Sequence, residues 1–314
     1  MIVTRGLTKT FSHVVALDSL TLDVGEGVTG LVGANGAGKS TLIKILLGLL
    51  PATSGDASVL GLDVGRQDTE IRSRVGYMPE HDCLPPDVSA TELIVHLARI
   101  SGLPPDSARE RSADILRHVG LAEERYRPIG GYSTGMRQRV KLAQAIVHDP
   151  ELVFLDEPTN GLDPLGRDDM LALIRRIGSE FGIAVLVTSH LLGELERTSD
   201  NIVVIDAGRL LRASSTAEFT QATGVLTVEV QDPGGGPNPR DRLGEALARR
   251  GLQVVPDGSV LRIEIEDEST YDTVRDQVAE LGLGLVRLEQ TRHRIEDIFI
   301  ADASAQGVPD GDPA

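Results

Sequence analysis

Apolar residues in the first two thirds of the chain fall into short continuous runs that alternate with helix-forming stretches. Residues 152–155 are entirely apolar and residues 28–32 are mostly apolar, which predicts buried strands. Residues 42–50 form an apolar, helix-forming run after a glycine-rich segment. Strands of this kind, apolar on both faces, are typical of a parallel sheet covered by helices. The pattern therefore predicts an α/β fold with a strand, a loop and a helix in succession.

Residues 83–145 have helical periodicity instead. Two apolar stripes are formed by Leu93, Ile94, Leu97 and Ile100, and by Ile115, Leu116 and Val119. These stripes predict helices that pack against each other or against the sheet.

The pattern changes after about residue 220. Strands are predicted at 225–230, 253–255, 260–265 and 285–289, and helices at 240–250 and 270–281. This β-α-β-β-α-β order predicts a small α+β domain with a ferredoxin-like arrangement. A last short helix is predicted at 295–300, and the Gly-, Pro- and Asp-rich tail at 304–314 is expected to be disordered.

The glycine-rich segment has the order and spacing of a phosphate-binding loop. It consists of Gly33, Ala34, Asn35, Gly36, Ala37, Gly38, Lys39, Ser40 and Thr41. Backbone N–H groups and the positive end of a helix would converge on one anion there. Lys39 is placed to reach the outer phosphates and the Ser40 hydroxyl to hold Mg²⁺. The segment predicts binding of a nucleoside triphosphate.

A pair of acidic residues follows the second apolar strand. Asp156 and Glu157 stand directly after residues 152–155, at the strand end where open α/β sheets carry their chemistry. We expect Asp156 to hold Mg²⁺ through its water shell. Glu157 is expected to act as the general base that polarises the attacking water.

The phosphate-binding loop, the acidic pair and four further motifs, six in all and in the family's order, give the chain a resemblance to the ATP-binding-cassette (ABC) ATPases. Residues 132–139 (Tyr-Ser-Thr-Gly-Met-Arg-Gln-Arg) resemble the signature sequence of that family. Residues 160–163 resemble its D-loop, 189–190 its switch histidine, 77–80 its Q-loop, and Phe11 the aromatic residue that stacks on adenine. The resemblance covers residues 1–220, with a helical subdomain at about 83–145.

The resemblance implies a P-loop NTPase cassette with a RecA-like parallel sheet, an antiparallel β-subdomain and a helical subdomain. An accessory domain would occupy residues 221–303. Two cassettes would pair head to tail around two ATP molecules, so that Ser133 and Gly135 of one chain contact the γ-phosphate held by the other. His190 would bridge the γ-phosphate and the partner's D-loop, which includes Asp163.

Three residues or groups of residues depart from the family's pattern. Glu80 replaces the usual Gln of the Q-loop; it keeps an oxygen for Mg²⁺ or water but adds a charge near the phosphates. Thr134 and Met136 replace the usual Gly and Gln of the signature. Phe11 replaces the commoner Tyr, and its ring face still suits adenine; a core Phe at a strand end is the alternative interpretation.

Composition restricts the partners and the location. No run approaches the eighteen or so apolar residues that span a bilayer, so we expect a peripheral protein at the cytoplasmic face of the membrane. The net charge of −16 disfavours nucleic-acid binding. Cys83 is the single cysteine, which excludes an internal disulfide, and we expect it to be a small buried residue.

The favoured function is the ATP-hydrolysing subunit of a membrane exporter, paired with a separately encoded permease and forming a homodimer of cassettes. The ending of the chain resembles drug, antibiotic and polysaccharide exporters. One alternative is a soluble ABC ATPase that acts on DNA or the ribosome. Another is a regulatory cassette that binds ATP but hydrolyses it poorly, which Glu80 leaves open.

Overall fold

The computed structural model describes residues 1–219, 222–236, 238–265, 267 and 269–292. The chain divides into two compact units, Met1–Thr216 and Ala217–Ala314. The predicted short helix at 295–300 and the tail at 304–314 lie outside the described residues. Among the residues described, no helix combines the length and apolar character needed to cross a bilayer.

The first unit contains two sheets. Its strands are β1 (Ile2–Phe11), β2 (Val14–Val24), β3 (Val28–Val32), β4 (Ser54–Val59), β5 (Leu62–Asp63), β6 (Val75–Met78), β7 (Leu152–Leu155), β8 (Ala184–Ser189), β9 (Asn201–Asp206) and β10 (Arg209–Ser215). One sheet is antiparallel, in the order β2-β1-β4-β5; the other has the order β10-β9-β3-β8-β7-β6. In the second sheet, β3, β6, β7, β8 and β9 run parallel and β10 pairs antiparallel at the edge.

In the part of the chain that the structure describes, seven α-helices belong to this unit, and an eighth, short helix begins at its last residue, Thr216. They are α1 (Lys39–Leu46), α2 (Asp68–Arg74), α3 (Ala90–Ile100), α4 (Pro105–His118), α5 (Thr134–Ile146), α6 (Pro164–Glu180), α7 (Leu192–Glu196) and α8 (Thr216–Phe219). Strands β3, β7 and β8 are buried along their whole length, as expected of a parallel sheet covered on both faces.

Helices α3, α4 and α5 pack together in the segment where a helical subdomain is expected. The stripe predicted at Ile115, Leu116 and Val119 is confirmed as buried. The stripe predicted on α3 is partly wrong, because Ile100 is 69% exposed at the helix end and the buried positions are Ala90, Ile94 and Ala98. A capping box fixes the start of this helix: Ser89 Oγ accepts from the Glu92 amide, and Glu92 Oε2 accepts from the Ser89 amide.

The second unit has the predicted β-α-β-β-α-β order. Its elements are β11 (Ala222–Gln231), α9 (Pro239–Arg249), β12 (Val254–Asp257), β13 (Val260–Glu264), α10 (Ser269–Glu280) and β14 (Gly284–Arg292). The sheet order β12-β13-β11-β14, antiparallel throughout, is the ferredoxin-like arrangement. Leu226, Val228, Leu261 and Ile263 form its core with apolar residues of α9 and α10.

Candidate nucleotide-binding site

The site lies where four neighbouring parallel strands end. Strands β3, β8, β7 and β6 are adjacent in that order, so the segments after Val32, Ser189, Leu155 and Met78 meet at one edge of the sheet. These segments are the phosphate-binding loop, the switch histidine, the acidic pair and the Q-loop. Four motifs that are far apart in sequence are therefore brought together by the strand order alone.

The phosphate-binding loop is shaped by close backbone contacts. Gly38, which precedes α1, has a φ of 105°. A Cβ atom on Gly38 would lie 2.5 Å from the Ala16 carbonyl oxygen, and one on Gly33 would lie 2.6 Å from the Ile205 carbonyl oxygen. Both positions therefore require glycine if the loop is to keep this shape.

A cavity of about 290 Å³ opens above this loop. It is lined by Ala34, Asn35, Gly36, Gly38, Lys39, Ser40, Thr41, Glu80 and Glu157. Gly33 and Ala37 also belong to the loop, but they are buried and do not line the cavity. Lys39 is buried at the base of the cavity, and its Nζ donates to the Gly33 carbonyl oxygen at 2.7 Å. A glycine-rich loop at the start of a helix, with a buried ammonium group beside it, has the chemistry of a polyphosphate site.

Glu157 occupies the wall of the cavity and is 6% exposed. Its Oε2 lies 2.9 Å from His190 Nδ1. Its Oε1 is 3.3 Å from Lys39 Nζ, but that contact lacks hydrogen-bond geometry, and Oε1 has no hydrogen-bond partner. One carboxylate oxygen is thus held in place while the other retains its capacity to accept a proton or a hydrogen bond.

Thr188 links the two acidic residues. Its Oγ1 accepts a hydrogen bond from the Glu157 amide at 2.8 Å and donates one to Asp156 Oδ1 at 2.9 Å. Asp156 is 2% exposed and lies behind the cavity lining. Burial, together with the charges of Asp156, Cys83 and Glu80, raises the pKa of the neighbouring Tyr77 to about 12, so this phenol is neutral at physiological pH.

Glu80 also lines the cavity and forms hydrogen bonds with two other segments. Its Oε1 accepts from Asn160 Nδ2 at 3.3 Å, and its carbonyl oxygen accepts from Lys141 Nζ at 2.9 Å. Lys141 comes from α5, the helix that follows the signature, and burial lowers its pKa. Cys83, three residues after Glu80, is exposed, so the expectation of a buried cysteine is wrong.

Besides Gly33, Ala37, Asp156 and His190, four further predicted site residues do not line this cavity. Ser133 is exposed and caps α5, where its Oγ accepts from the Met136 amide at 3.3 Å; Gly135 lies in the first turn of that helix. Asp163 caps α6 through a 2.9 Å contact between its Oδ1 and the Gly166 amide. Phe11, at the end of β1, is 43% exposed with Lys9 Nζ 5.0 Å from its ring centroid, which contradicts the alternative of a core residue.

Sequence reasoning missed Thr188 and Glu194. Thr188 is a hydroxyl residue near the end of an otherwise apolar strand, one position before Ser189 and His190, and that placement was an available signal. Glu194 is a buried carboxylate on α7 whose burial arises only from tertiary packing. No local pattern would have separated it from an exposed helical glutamate.

Comparisons with known proteins agree with this geometry. A sequence model of the family described as "ABC transporter" matches residues 17–160. The daunorubicin/doxorubicin resistance ATP-binding protein DrrA of Streptomyces peucetius is 38% identical over 234 residues, which is 74% of this chain and 71% of DrrA. The linearmycin resistance ATP-binding protein LnrL of Bacillus subtilis is 30% identical over 96% of this chain and 97% of its own length.

A solved structure shows the same likeness in three dimensions. CbiO1 of Clostridium perfringens, described as part of the ABC transporter complex cbiONQ, superimposes with a TM-score of 0.63 and 27% sequence identity. The match covers 69% of this chain and 89% of cbiO1. The chain therefore belongs to the ABC transporter family, as one of its ATP-binding and ATP-hydrolysing subunits.

Proposed function

We propose that this chain powers an exporter: a pair of identical cassettes closes around ATP and drives a separately encoded membrane permease. Two relatives, DrrA and LnrL, are named for resistance to daunorubicin/doxorubicin and to linearmycin, respectively. LnrL aligns with nearly the whole of this chain. Resistance of this kind is consistent with outward transport. The substrate would bind in the permease, and the chain would act at the cytoplasmic face of the membrane.

The observation that carries the hydrolytic role is the state of the Glu157 carboxylate. Oε2 lies 2.9 Å from His190 Nδ1, while Oε1, 3.3 Å from Lys39 Nζ, has no hydrogen-bond partner, and the residue lines the phosphate cavity. A water between Oε1 and the γ-phosphate would donate its proton to this oxygen as it attacks phosphorus. The bond to the β-phosphate oxygen breaks, and the products are ADP and inorganic phosphate.

Lys39 and the loop amides would hold the phosphates for this step. The loop leads into α1, whose first backbone amides are free to bind an anion. Because Gly33 and Gly38 have no side chain, the loop can keep the close backbone contacts that give it this shape. Lys39 Nζ already lies among oxygen atoms, namely the Gly33 carbonyl and the Glu157 carboxylate. The same ammonium group would serve the negative oxygens of ATP. Phe11, on the exposed end of β1, is proposed to stack on the adenine.

The donor set also fits Mg²⁺. Ser40 and Glu80 supply oxygens on the cavity wall, and Asp156 stands behind them, oriented by Thr188. A hard cation of this size prefers hydroxyl, carboxylate and water oxygens. When bound, Mg²⁺ would neutralise charge on the β- and γ-phosphates. We propose Ser40, Asp156 and Glu80 as the residues that hold it, directly or through water.

The homodimer is proposed because one chain does not complete the site. Ser133, Gly135 and Asp163 lie outside the cavity of their own chain, although Ser133 presents an exposed hydroxyl at the start of α5. A second copy docked head to tail would bring these groups to the γ-phosphate. Both ATP molecules would then be enclosed at the interface, and opening after hydrolysis would reset the permease.

Co-purification from native membranes tests the transport role. The Glu157→Gln variant, tagged and trapped with ATP, would be solubilised in mild detergent and its partners identified by mass spectrometry. A co-purifying integral membrane protein is expected, and a Lys39→Ala variant, which cannot be trapped with ATP, serves as the control. Recovery of ribosomal proteins or nucleic acid in place of a membrane protein would contradict the proposal.

A further inference from the structure

Glu194 is a buried carboxylate that has no place in the hydrolytic step described above. It lies on the short helix α7 and is 7% exposed. Its Oε2 accepts two hydrogen bonds, from Thr159 Oγ1 at 2.8 Å and from Ser189 Oγ at 3.0 Å. Burial of an ionised group is costly unless hydrogen bonds compensate for lost water, so the two hydroxyl donors determine where this carboxylate lies.

The two donors belong to the segments that carry the reacting groups. Thr159 is two residues after Glu157, and Ser189 immediately precedes His190. Glu157 and His190 themselves are 2.9 Å apart. A single carboxylate therefore connects the backbone segments on both sides of the contact between the proposed base and the switch histidine.

Ser189 extends this connection into the turn that carries the histidine. Its Oγ donates to Glu194 and accepts from the Leu191 amide at 3.0 Å. His190 lies between these two residues, on an otherwise exposed turn. The hydrogen bonds of Ser189 therefore restrain the turn that carries the imidazole, and one of them is made with Glu194.

A further contact reaches the other end of the D-loop. Arg167 Nε donates to the Leu162 carbonyl oxygen at 3.1 Å and lies 4.0 Å from Glu194 Oε1, which has no hydrogen-bond partner. Thr159, immediately before the D-loop, and Leu162, near its end, are therefore both connected to this carboxylate, the first directly and the second through Arg167.

We infer that Glu194 is a positioning residue for ATP hydrolysis, holding the D-loop and the His190 turn in register with Glu157. It does not line the phosphate cavity and acts through Thr159 and Ser189. The inference rests on the roles proposed for Glu157 and His190, which the Glu157→Gln variant tests separately.

The test compares steady-state ATP hydrolysis and ATP binding in three variants of the full chain. Glu194→Ala removes the acceptor, and kcat is expected to fall about 10-fold or more, because two charge-assisted hydrogen bonds are lost, while the Kd for ATP stays within about 3-fold. Glu194→Gln retains an acceptor oxygen and is expected to recover most of the activity. Glu196→Gln, an equivalent change on the same helix, serves as the matched control and should match the wild type.

A double-mutant cycle with His190→Ala separates positioning from general stability. If Glu194 acts through His190, adding Glu194→Ala to His190→Ala lowers kcat by less than about 2-fold. The inference would be overturned if the loss of kcat in the double variant equalled the product of the losses in the two single variants. A kcat for Glu194→Ala within about 2-fold of the wild type would also overturn it. If Glu194→Ala does not fold, the near-isosteric Thr159→Val variant, which removes one donor, is judged by the same criteria.

Discussion

Glu157 combines a carboxylate oxygen that has no hydrogen-bond partner with an unusual backbone conformation. Its φ is 49°, in the left-handed region that a non-glycine residue adopts at a cost of order 1 kcal/mol. Two hydrogen bonds stabilise that conformation, one from the Glu157 amide to Thr188 Oγ1 and one from the Asn160 amide to the Glu157 carbonyl oxygen. The surrounding structure therefore aims the carboxylate, and the neighbours that do so are predicted to matter for catalysis.

Thr188→Val is predicted to lower kcat by about 10- to 100-fold, because it leaves the buried Glu157 amide without an acceptor and removes a donor to Asp156. Steady-state ATPase assays across a Mg²⁺ titration measure this, and a raised Mg²⁺ requirement is expected. Thr188→Ser keeps the hydroxyl and should retain most of the activity. Equal losses in the two variants would show that the methyl group, and not the hydroxyl, is important.

Gly38→Ala is predicted to abolish ATP binding, with an affinity loss of at least about 100-fold. The added Cβ would collide with the Ala16 carbonyl oxygen at 2.5 Å, and the φ of 105° disfavours any side chain, so the loop must change shape. Fluorescent-nucleotide titration provides the measurement. Gly25→Ala, whose Cβ would meet no atom within 4 Å, is the control and should bind normally.

At the scale of elements, the strands were predictable from sequence wherever a run of apolar residues was buried on both faces. The structure has β3 and β7 at the predicted residues, 28–32 and 152–155. The apolar run at 42–50 predicted a longer helix than α1, which ends at Leu46 because Gly48 adopts a left-handed φ of 67°. The apolar run extends beyond the end of the helix because Leu47, which follows α1, is also buried in the core.

Lys141 of α5 supports the neighbouring Q-loop, because its Nζ donates to the Glu80 carbonyl oxygen at 2.9 Å. The burial of this lysine makes the free energy of unfolding depend on pH. Burial lowers the pKa of Lys141 by more than the neighbouring Cys83 and the carboxylates of Asp82, Glu80 and Asp156 raise it. The unfolded chain then binds more protons than the folded chain as pH approaches 10.5, so unfolding becomes less favourable with rising pH.

Lys141→Met is predicted to remove that pH-dependent gain. Urea midpoints followed by circular dichroism at pH 7 and pH 9.5 should show the wild type gaining stability relative to the variant at the higher pH. Lys44→Met, on an exposed face of α1, is the control and should follow the wild type at both values. A constant difference between wild type and Lys141→Met would contradict the account.

At the scale of the whole molecule, sequence motifs predicted which segments form the site but not how they are held. Lys39, Asp156 and Glu157 were recognisable because each follows a buried strand at a fixed spacing. The roles of Thr188 and Glu194 depend on contacts between residues more than thirty positions apart, such as Glu157 with Thr188 and Thr159 with Glu194. No local pattern records contacts of that kind.

The paired arrangement predicts complementation between two inactive variants. Lys39→Ala damages the phosphate loop, and Ser133→Arg damages the signature that would serve the partner chain. In a mixed dimer one of the two shared sites has neither change, so mixing should restore up to about a quarter of wild-type activity if the sites act independently. ATPase assays of the separate and mixed proteins measure this. No recovery on mixing would indicate that each chain completes its own site.

The most direct test of the central claim compares ATP turnover by the wild type and Glu157→Gln, with ATP binding measured on the same samples. Glutamine keeps the size of the side chain but cannot take a proton from water. Hydrolysis is predicted to fall by about 100-fold or more, while ATP is bound at least as tightly as by the wild type. Turnover by Glu157→Gln close to that of the wild type would contradict the central claim.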